Sequence, residues 1–248
     1  MTALTQEDLT RYSRQIMYPE LGKAGQLKLK EAHVVVAGLG GLGSPASIYL
    51  ACAGVGHITV IDHDRVELSN LNRQIVHWDE DIGVEKPLSA ARKLTRLNPS
   101  ITVTPVVAKI TKDNARQLIT GASLVIDAMD NFEARFVINE ACVAKRIPFI
   151  HAGIYGLMGQ ITTIIPGKTP CLSCIVPCVP TKRKPPPVFG VTPALMATLQ
   201  VTEAIKLLAG FGNLLTGKLL CINAANMEFD AVPISRRPDC AVCGGIRS

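Results

Sequence analysis

Four cysteines come as two CxxC pairs, Cys171 with Cys174 in "CLSC" and Cys240 with Cys243 in "CAVC". Four thiolates so spaced can close a tetrahedral Zn²⁺ shell, and a full shell leaves no position for a reacting water, so the metal is expected to be structural. A redox CxxC is the competing use, yet neither pair stands at the first strand-to-helix junction of a thioredoxin-like pattern. Far upstream, Gly38, Gly40 and Gly43 fit GxGxxG between the apolar run "VVVA" and the small-residue helix "SPASIYLACAG". Glycines there let the backbone approach phosphates, and the helix N-terminus attracts their charge. Asp62 ends the next strand, 19 residues past Gly43, where a carboxylate accepts hydrogen bonds from both ribose hydroxyls; an adenosine ligand follows.

An NAD site needs little beyond that carboxylate, whereas here "SNLNRQ" brings Asn70 and Arg73, and Lys86 follows. ATP ends in a highly charged triphosphate that reaches further than a pyrophosphate bridge. Cations beyond the second strand therefore favour ATP over NAD, through charge-assisted hydrogen bonds worth roughly 1.5–3 kcal/mol each. Asp130 lies just past the strand "SLVIDAMD", on the rim where open α/β sheets bind ligands. It could hold Mg²⁺ or cap the helix that starts near Asn131.

These residues need a scaffold, and the chain supplies alternating strands and helices. "HVVVAG", "HITVID", "ITVTPVVA", "ASLVIDAMD" and "PFIHAGI" read as strands; "EKPLSAARKLTRLNP" and "NFEARFVINEACVAKRI" read as helices. The expected fold is α/β, a Rossmann-like, mostly parallel sheet with helices on both faces, extended by antiparallel strands and the Cys₄ zinc site. One domain over 1–248 is expected, with an N-terminal helical arm (1–32), a nucleotide-binding half (33–156) and a carrier-binding and zinc half (157–248). In the last part "GQITTIIPG" precedes a proline-rich loop, a helix "ALMATLQVTEAIKLLAG" and the strands of "KLLCINAANMEFDAVPIS". The chain has 248 residues, 48% of them hydrophobic, enough for a sizeable core. Its apolar runs are too short to span a membrane and "MTALTQEDLTRYSRQ" is too polar for a signal peptide, so a cytoplasmic protein is expected. The net charge of +6 is spread along the chain and aromatics are only 4%, which argues against a base-stacking nucleic-acid platform. Cys52, Cys142 and Cys221 read as small core residues, and His57 and His151 as structural, the first flanking a strand and the second by the sheet's rim.

Together "RYSRQ", "GLGGLGSPASIYLACAGVGHITVIDHDRVELSNLNRQ", "IGVEK", "DAMDNFEAR", "GQIT", "CLSC" and "CAVCG" resemble the bacterial MoeB/ThiF/HesA proteins, relatives of the ubiquitin-activating enzymes. The resemblance covers nearly the whole chain. It implies an adenylyltransferase that uses ATP to activate the C-terminal glycine of a small ubiquitin-fold sulfur carrier ending in Gly-Gly, either ThiS- or MoaD-like. It implies ATP contacts from Gly41, Asp62, Asn70, Arg73, Gln74 and Lys86, and a Mg²⁺-associated role for Asp130. Arg14 matches an arginine that enters the neighbouring subunit's site, so a homodimer is implied. Adenylation of another carboxylate, such as a modified tRNA base, is the alternative within the superfamily. Relatives that handle sulfur carry a cysteine in a "CxExG"-like stretch; here "KRKPPPVFGVTP" has none, and Cys178 lies closer to the zinc pair.

Overall fold

The computed structural model describes residues 3–177 and 187–245. Cys178 and the basic stretch "TKRK" (181–184) of the proline-rich loop therefore lie outside the described residues. Three helices form the arm: α1 (Gln6–Arg11), α2 (Ser13–Ile16) and α3 (Gly22–Glu31). Thr5 and Asp8 close a reciprocal capping box at the start of α1. Then come β1 (His33–Ala37), α4 (Gly43–Ala53), β2 (His57–Asp62), α5 (Lys86–Leu97), β3 (Thr102–Val107), α6 (Ala115–Leu118), β4 (Leu124–Asp127), α7 (Phe132–Lys145) and β5 (Phe149–Tyr155). The chain continues through β6 (Met158–Ile164), α8 (Leu172–Ile175), α9 (Val191–Ala209), β7 (Lys218–Asn223) and β8 (Glu228–Pro233).

All eight strands form one sheet in the order β3-β2-β1-β4-β5-β6-β7-β8. The first five are parallel to one another and the last three join antiparallel, as the sequence implies. β-Branched runs suit the centre because both faces are covered, and the two-residue period of the strand sorts them. Val34 and Val36 of β1 face α4, α5 and α9, packing with Leu50, Leu94 and Val201. Val35 and Ala37 face the other way, against Val137 and Ile138 of α7. The four paired cysteines sit in that second layer, at the edge of its core.

Details differ from the sequence reading where local chemistry allowed two answers. The last long helix starts at Val191, ahead of the expected Ala194, since a proline in the first turn forfeits no helical hydrogen bond and Pro193 is tolerated there. Of the three cysteines assigned to the core only Cys142 is buried; Cys221 is intermediate and Cys52 is exposed, on the outer side of α4. A helix rich in small residues carries too little periodicity to tell its faces apart. His151, expected by the rim, is fully buried on β5.

Candidate active site

The glycine turn joins β1 to α4, and its glycines do different work. Gly38 has φ +99°, a left-handed conformation, and a Cβ there would come within 2.6 Å of the Ala128 carbonyl. At Gly43 a Cβ would stand 1.9 Å from the Gly38 carbonyl, so the turn closes only over hydrogen. Gly40 has no such need, the nearest atom to its Cβ position being Gln74 Nε2 at 3.8 Å. Gly41 backs onto Pro193, with Arg73 Cδ 3.6 Å from its Cβ position. Arg73 and Gln74 thus lie directly against the turn.

Asp62, at the end of β2, braces the turn. Its Oδ2 accepts from Leu39 N at 2.7 Å and its Oδ1 from Asp64 N at 2.9 Å. A carboxylate has about four lone-pair sites, so both oxygens retain capacity for ribose hydroxyls. The Lys86 ammonium is buried and donates one of its three hydrogens to Asp64 Oδ2 at 3.0 Å. Asn70, also buried, accepts from Glu67 N at 3.2 Å, and its own carbonyl receives the backbone N–H groups of Arg73 and Gln74. Arg73 donates to Ser69 O at 2.8 Å and Asn72 Oδ1 at 2.9 Å, and among the described residues no carboxylate pairs with it. Gln74 Oε1 is buried with no hydrogen-bond partner among the described residues, while its Nε2 is the atom beside the turn.

Asp130 belongs to the same rim, because Ala128 N donates to Ala37 O and the backbone beyond β4 runs beside Gly38. The cap of α7 is Asn131, whose side chain accepts from Ala134 N at 2.9 Å. That removes the capping alternative for Asp130, whose Oδ1, among the described residues, accepts only from Asn131 Nδ2 at 3.1 Å. A buried cluster fixes the loop, a feature the sequence did not disclose. Arg135 Nε and Nη2 donate to Met129 O at 3.0 and 2.6 Å, Met129 N donates to Asp127 Oδ1 at 3.1 Å, and His151 Nδ1 meets Asp127 Oδ2 at 2.6 Å. Burial lowers the His151 pKa against the opposing pull of Asp127. β4 and β5 pair only through Val125 with Phe149 and Ile126 with Ile150. Beyond that, Gln200 Nε2 bridges the diverging strands by donating to Asp127 O and Ile150 O, at 2.8 and 2.9 Å.

Arg14 does not join these residues. It is exposed on α2, which is pinned on either side of it: Tyr12 packs against Gly54, its hydroxyl accepting from Asn98 Nδ2 at 2.8 Å, and Gln15 Nε2 donates to Ala53 O at 2.8 Å. Ala53 is the far end of α4, ten residues from Gly43, about 15 Å away at roughly 1.5 Å per residue.

The paired cysteines converge as their spacing predicts. Sγ–Sγ distances are 4.0 Å for Cys171–Cys174, 3.7 Å for Cys171–Cys240 and 3.4 Å for Cys174–Cys243, and all four sulfurs lie within 4.8 Å of one another. Tetrahedral Zn–S bonds of about 2.3 Å would set sulfurs ~3.8 Å apart, so the set fits zinc and is too open for disulfides.

A glycine turn, a strand-end carboxylate and two cationic side chains beyond the carboxyl ends of a parallel sheet are the pattern of a nucleotide-binding α/β enzyme. The comparisons name the kind: residues 12–242 match the ThiF family, and the chain belongs to it. It is 44% identical over 247 residues to the SAMP-activating enzyme E1 of Haloferax volcanii, covering 98% of this chain and 91% of that one. It is 40% identical over 256 residues to the sulfur carrier protein adenylyltransferase of Thermus thermophilus, covering 97% and 92% respectively. A crystal structure of E. coli MccB with MccA-N7isoASN superposes with a TM-score of 0.87 at 27% identity, over 96% of this chain and 75% of that one. The chain is an adenylyltransferase that resembles the ubiquitin-activating enzymes. Among the described residues no helix is long and apolar enough to cross a membrane.

Proposed function

We propose that this enzyme adenylates the C-terminal glycine carboxylate of a small ubiquitin-fold sulfur carrier, ThiS- or MoaD-like, and works in the cytoplasm as a homodimer. The observation that carries this is the packing of Arg73 and Gln74 against a glycine turn where a Cβ at Gly40 would meet nothing closer than 3.8 Å, with buried Lys86 tied through Asp64 to the Asp62 end of β2. Room kept beside a turn lined with donors suits phosphate.

A terminal carboxylate has a pKa of roughly 3.3–3.7 and attacks as the anion, so no general base is required. One of its oxygens bonds to the α-phosphorus of ATP, the bond from that phosphorus to the bridging oxygen breaks, and pyrophosphate leaves with the electron pair. Arg73 and Lys86 offset the charge that gathers on the phosphates, the turn orients them, and Asp62 holds the ribose. Asp130, free of a capping duty, would hold Mg²⁺, which would supply charge neutralisation at the leaving pyrophosphate. The Cys₄ set would hold Zn²⁺ in a structural role. Arg14, exposed and remote from the glycine turn of its own subunit, would serve the partner's site.

Purified protein with ATP, Mg²⁺ and a carrier ending in Gly-Gly should exchange labelled pyrophosphate into ATP, because adenylation reverses while the acyl group stays put. NAD should not substitute. Binding of NAD in preference to ATP would overturn the reading.

A further inference from the structure

Asp130 stands in the short turn from β4 to α7, and side chains hold the backbone on either side of it. The Met129 carbonyl accepts from Arg135 Nε at 3.0 Å and Nη2 at 2.6 Å, while the Met129 N–H donates to Asp127 Oδ1 at 3.1 Å. Just beyond, Asn131 caps α7 by accepting from Ala134 N at 2.9 Å. The chain is thus fixed immediately before Asp130 and immediately after it. The Asp130 carboxylate is exposed and, among the described residues, takes only the Asn131 Nδ2 hydrogen bond. Its other lone pairs are hard oxygen donors, the kind Mg²⁺ requires.

Stability alone does not account for Arg135. It is 6% exposed, its Nε lies 3.7 Å from Oδ2 of the fully buried Asp127, and its guanidinium carbon lies 5.4 Å from the centre of the Phe132 ring. Apolar residues of the same volume often stabilise a core as well as such a buried pair does, whereas the planar fork adds direction. β5 makes room for it: a Cβ at Gly153 would stand 3.2 Å from Arg135 Nη1 and 3.4 Å from Gln160 Cγ. The backbone that Arg135 holds also abuts the glycine turn, since a Cβ at Gly38 would meet Ala128 O at 2.6 Å and Met129 N at 3.4 Å. Met129 therefore borders the turn at its nitrogen and the guanidinium at its oxygen. We propose that Arg135 is a positioning residue for Asp130: by gripping the Met129 carbonyl it sets where the Asp130 carboxylate stands on the rim, and so how tightly Mg²⁺ is held with the nucleotide, a role that rests on Asp130 as the carboxylate for Mg²⁺. Asp127 serves the same end, pinning Met129 N and facing the fork.

Calorimetric titration with ATP, once with Mg²⁺ and once in EDTA, gives the factor by which Mg²⁺ tightens binding, with no carrier and no turnover. Wild type should show such a factor and Asp130→Ala should lose it. Arg135→Lys keeps a charge opposite Asp127 but replaces the fork with a single ammonium. It should lower the factor by about 10-fold, the lesser end of what loss of an outer partner costs a metal site, and bind ATP in EDTA as wild type does. Raised Mg²⁺ should restore its pyrophosphate exchange, and should not restore that of Asp130→Ala. An unchanged factor in folded Arg135→Lys would overturn the proposal, as would equal weakening with and without Mg²⁺, the mark of a prop for the whole site. If Arg135→Lys does not fold, Gly153→Ala displaces the guanidinium by a few tenths of an ångström with its partners present and should lower the same factor; an unchanged factor there overturns the proposal equally. A wild type indifferent to Mg²⁺, or an Asp130→Ala protein that keeps the factor, would sink the reading of Asp130 and this role with it. A factor lost in Asp130→Ala but kept in Arg135→Lys would sink this role alone.

Discussion

A methyl group added at Gly40 and one added at Gly43 should have opposite consequences. Gly43→Ala drives a Cβ to 1.9 Å from the Gly38 carbonyl, backbone against backbone, and should cost about 3 kcal/mol, since overpacking that no side chain can relieve sits at the upper end of its range. Gly40→Ala meets nothing closer than 3.8 Å and should melt with the wild type while ATP affinity falls, because the methyl occupies the phosphate's approach. Equal melting and equal affinity at Gly40 would show that no ligand lies on that part of the turn. Asp130→Ala should leave the fold intact, as Asn131 retains the cap, and should abolish pyrophosphate exchange; near-normal exchange would remove Asp130 from the mechanism. Asp81 makes a prediction about pH. Burial pushes its carboxyl up, but the Lys93 ammonium and the Trp78 backbone N–H outweigh burial and hold it below the ordinary carboxylate value. A lowered folded-state pKa contributes stability that is present above the unfolded value of about 3.9 and is lost as pH falls through the folded one. Asp81→Asn strands a buried Lys93, so it should cost about 3 kcal/mol near neutrality. The gap to the wild type, followed by denaturation from pH 6 to pH 3, should close only in the acid part of that range.

At the scale of elements, the two CxxC pairs tie α8 to the segment beyond β8, an exposed edge strand that packs little of its own. One Zn²⁺ per chain is expected by metal analysis. Cys240→Ser should lose it and lower Tm by about 10 °C, the shift that a cost on the order of 3 kcal/mol produces in a domain of this size. Unchanged metal content and melting would leave the cysteines without a metal. These elements also show what the sequence could disclose. β-Branched runs, the glycine turn and the CxxC spacing each carry their meaning in neighbouring residues, and each stands where the sequence placed it. Asp62, Arg73 and Lys86 were legible for the same reason, lying at fixed steps from a strand end or a helix start. The supports were not. Asp127, Arg135, His151 and Gln200 meet through β4, α7, β5 and α9, a juxtaposition set by sheet order that no local pattern encodes. His77 and Asp81 look like an ordinary polar turn in "HWDED" until α5 folds over them.

At the scale of the whole molecule, Arg14 is the one cation of the proposed site that its own chain does not bring to the glycine turn. Arg14 is exposed, and among the described residues nothing pairs with it. The contacts of Tyr12 and Gln15 hold it at the end of α4 that is about 15 Å from its own glycine turn. A rigid mount for an unpaired guanidinium makes sense if a second copy presents its site there, and a two-fold dimer would then complete both sites at once. Mixing decides the matter. Arg14→Ala and Arg73→Ala homodimers should each lose roughly 10- to 100-fold in exchange, the worth of one charge-assisted hydrogen bond. In a heterodimer of the two, one site combines the intact Arg73 of one chain with the intact Arg14 of the other, while the second site lacks both. Refolding an equal mixture makes about half the dimers heterodimeric, so activity should recover to about a quarter of wild type. If both arginines served one subunit, every site in the mixture would lack one of them and nothing would be regained. Verified heterodimers with no recovered exchange would therefore overturn the shared site.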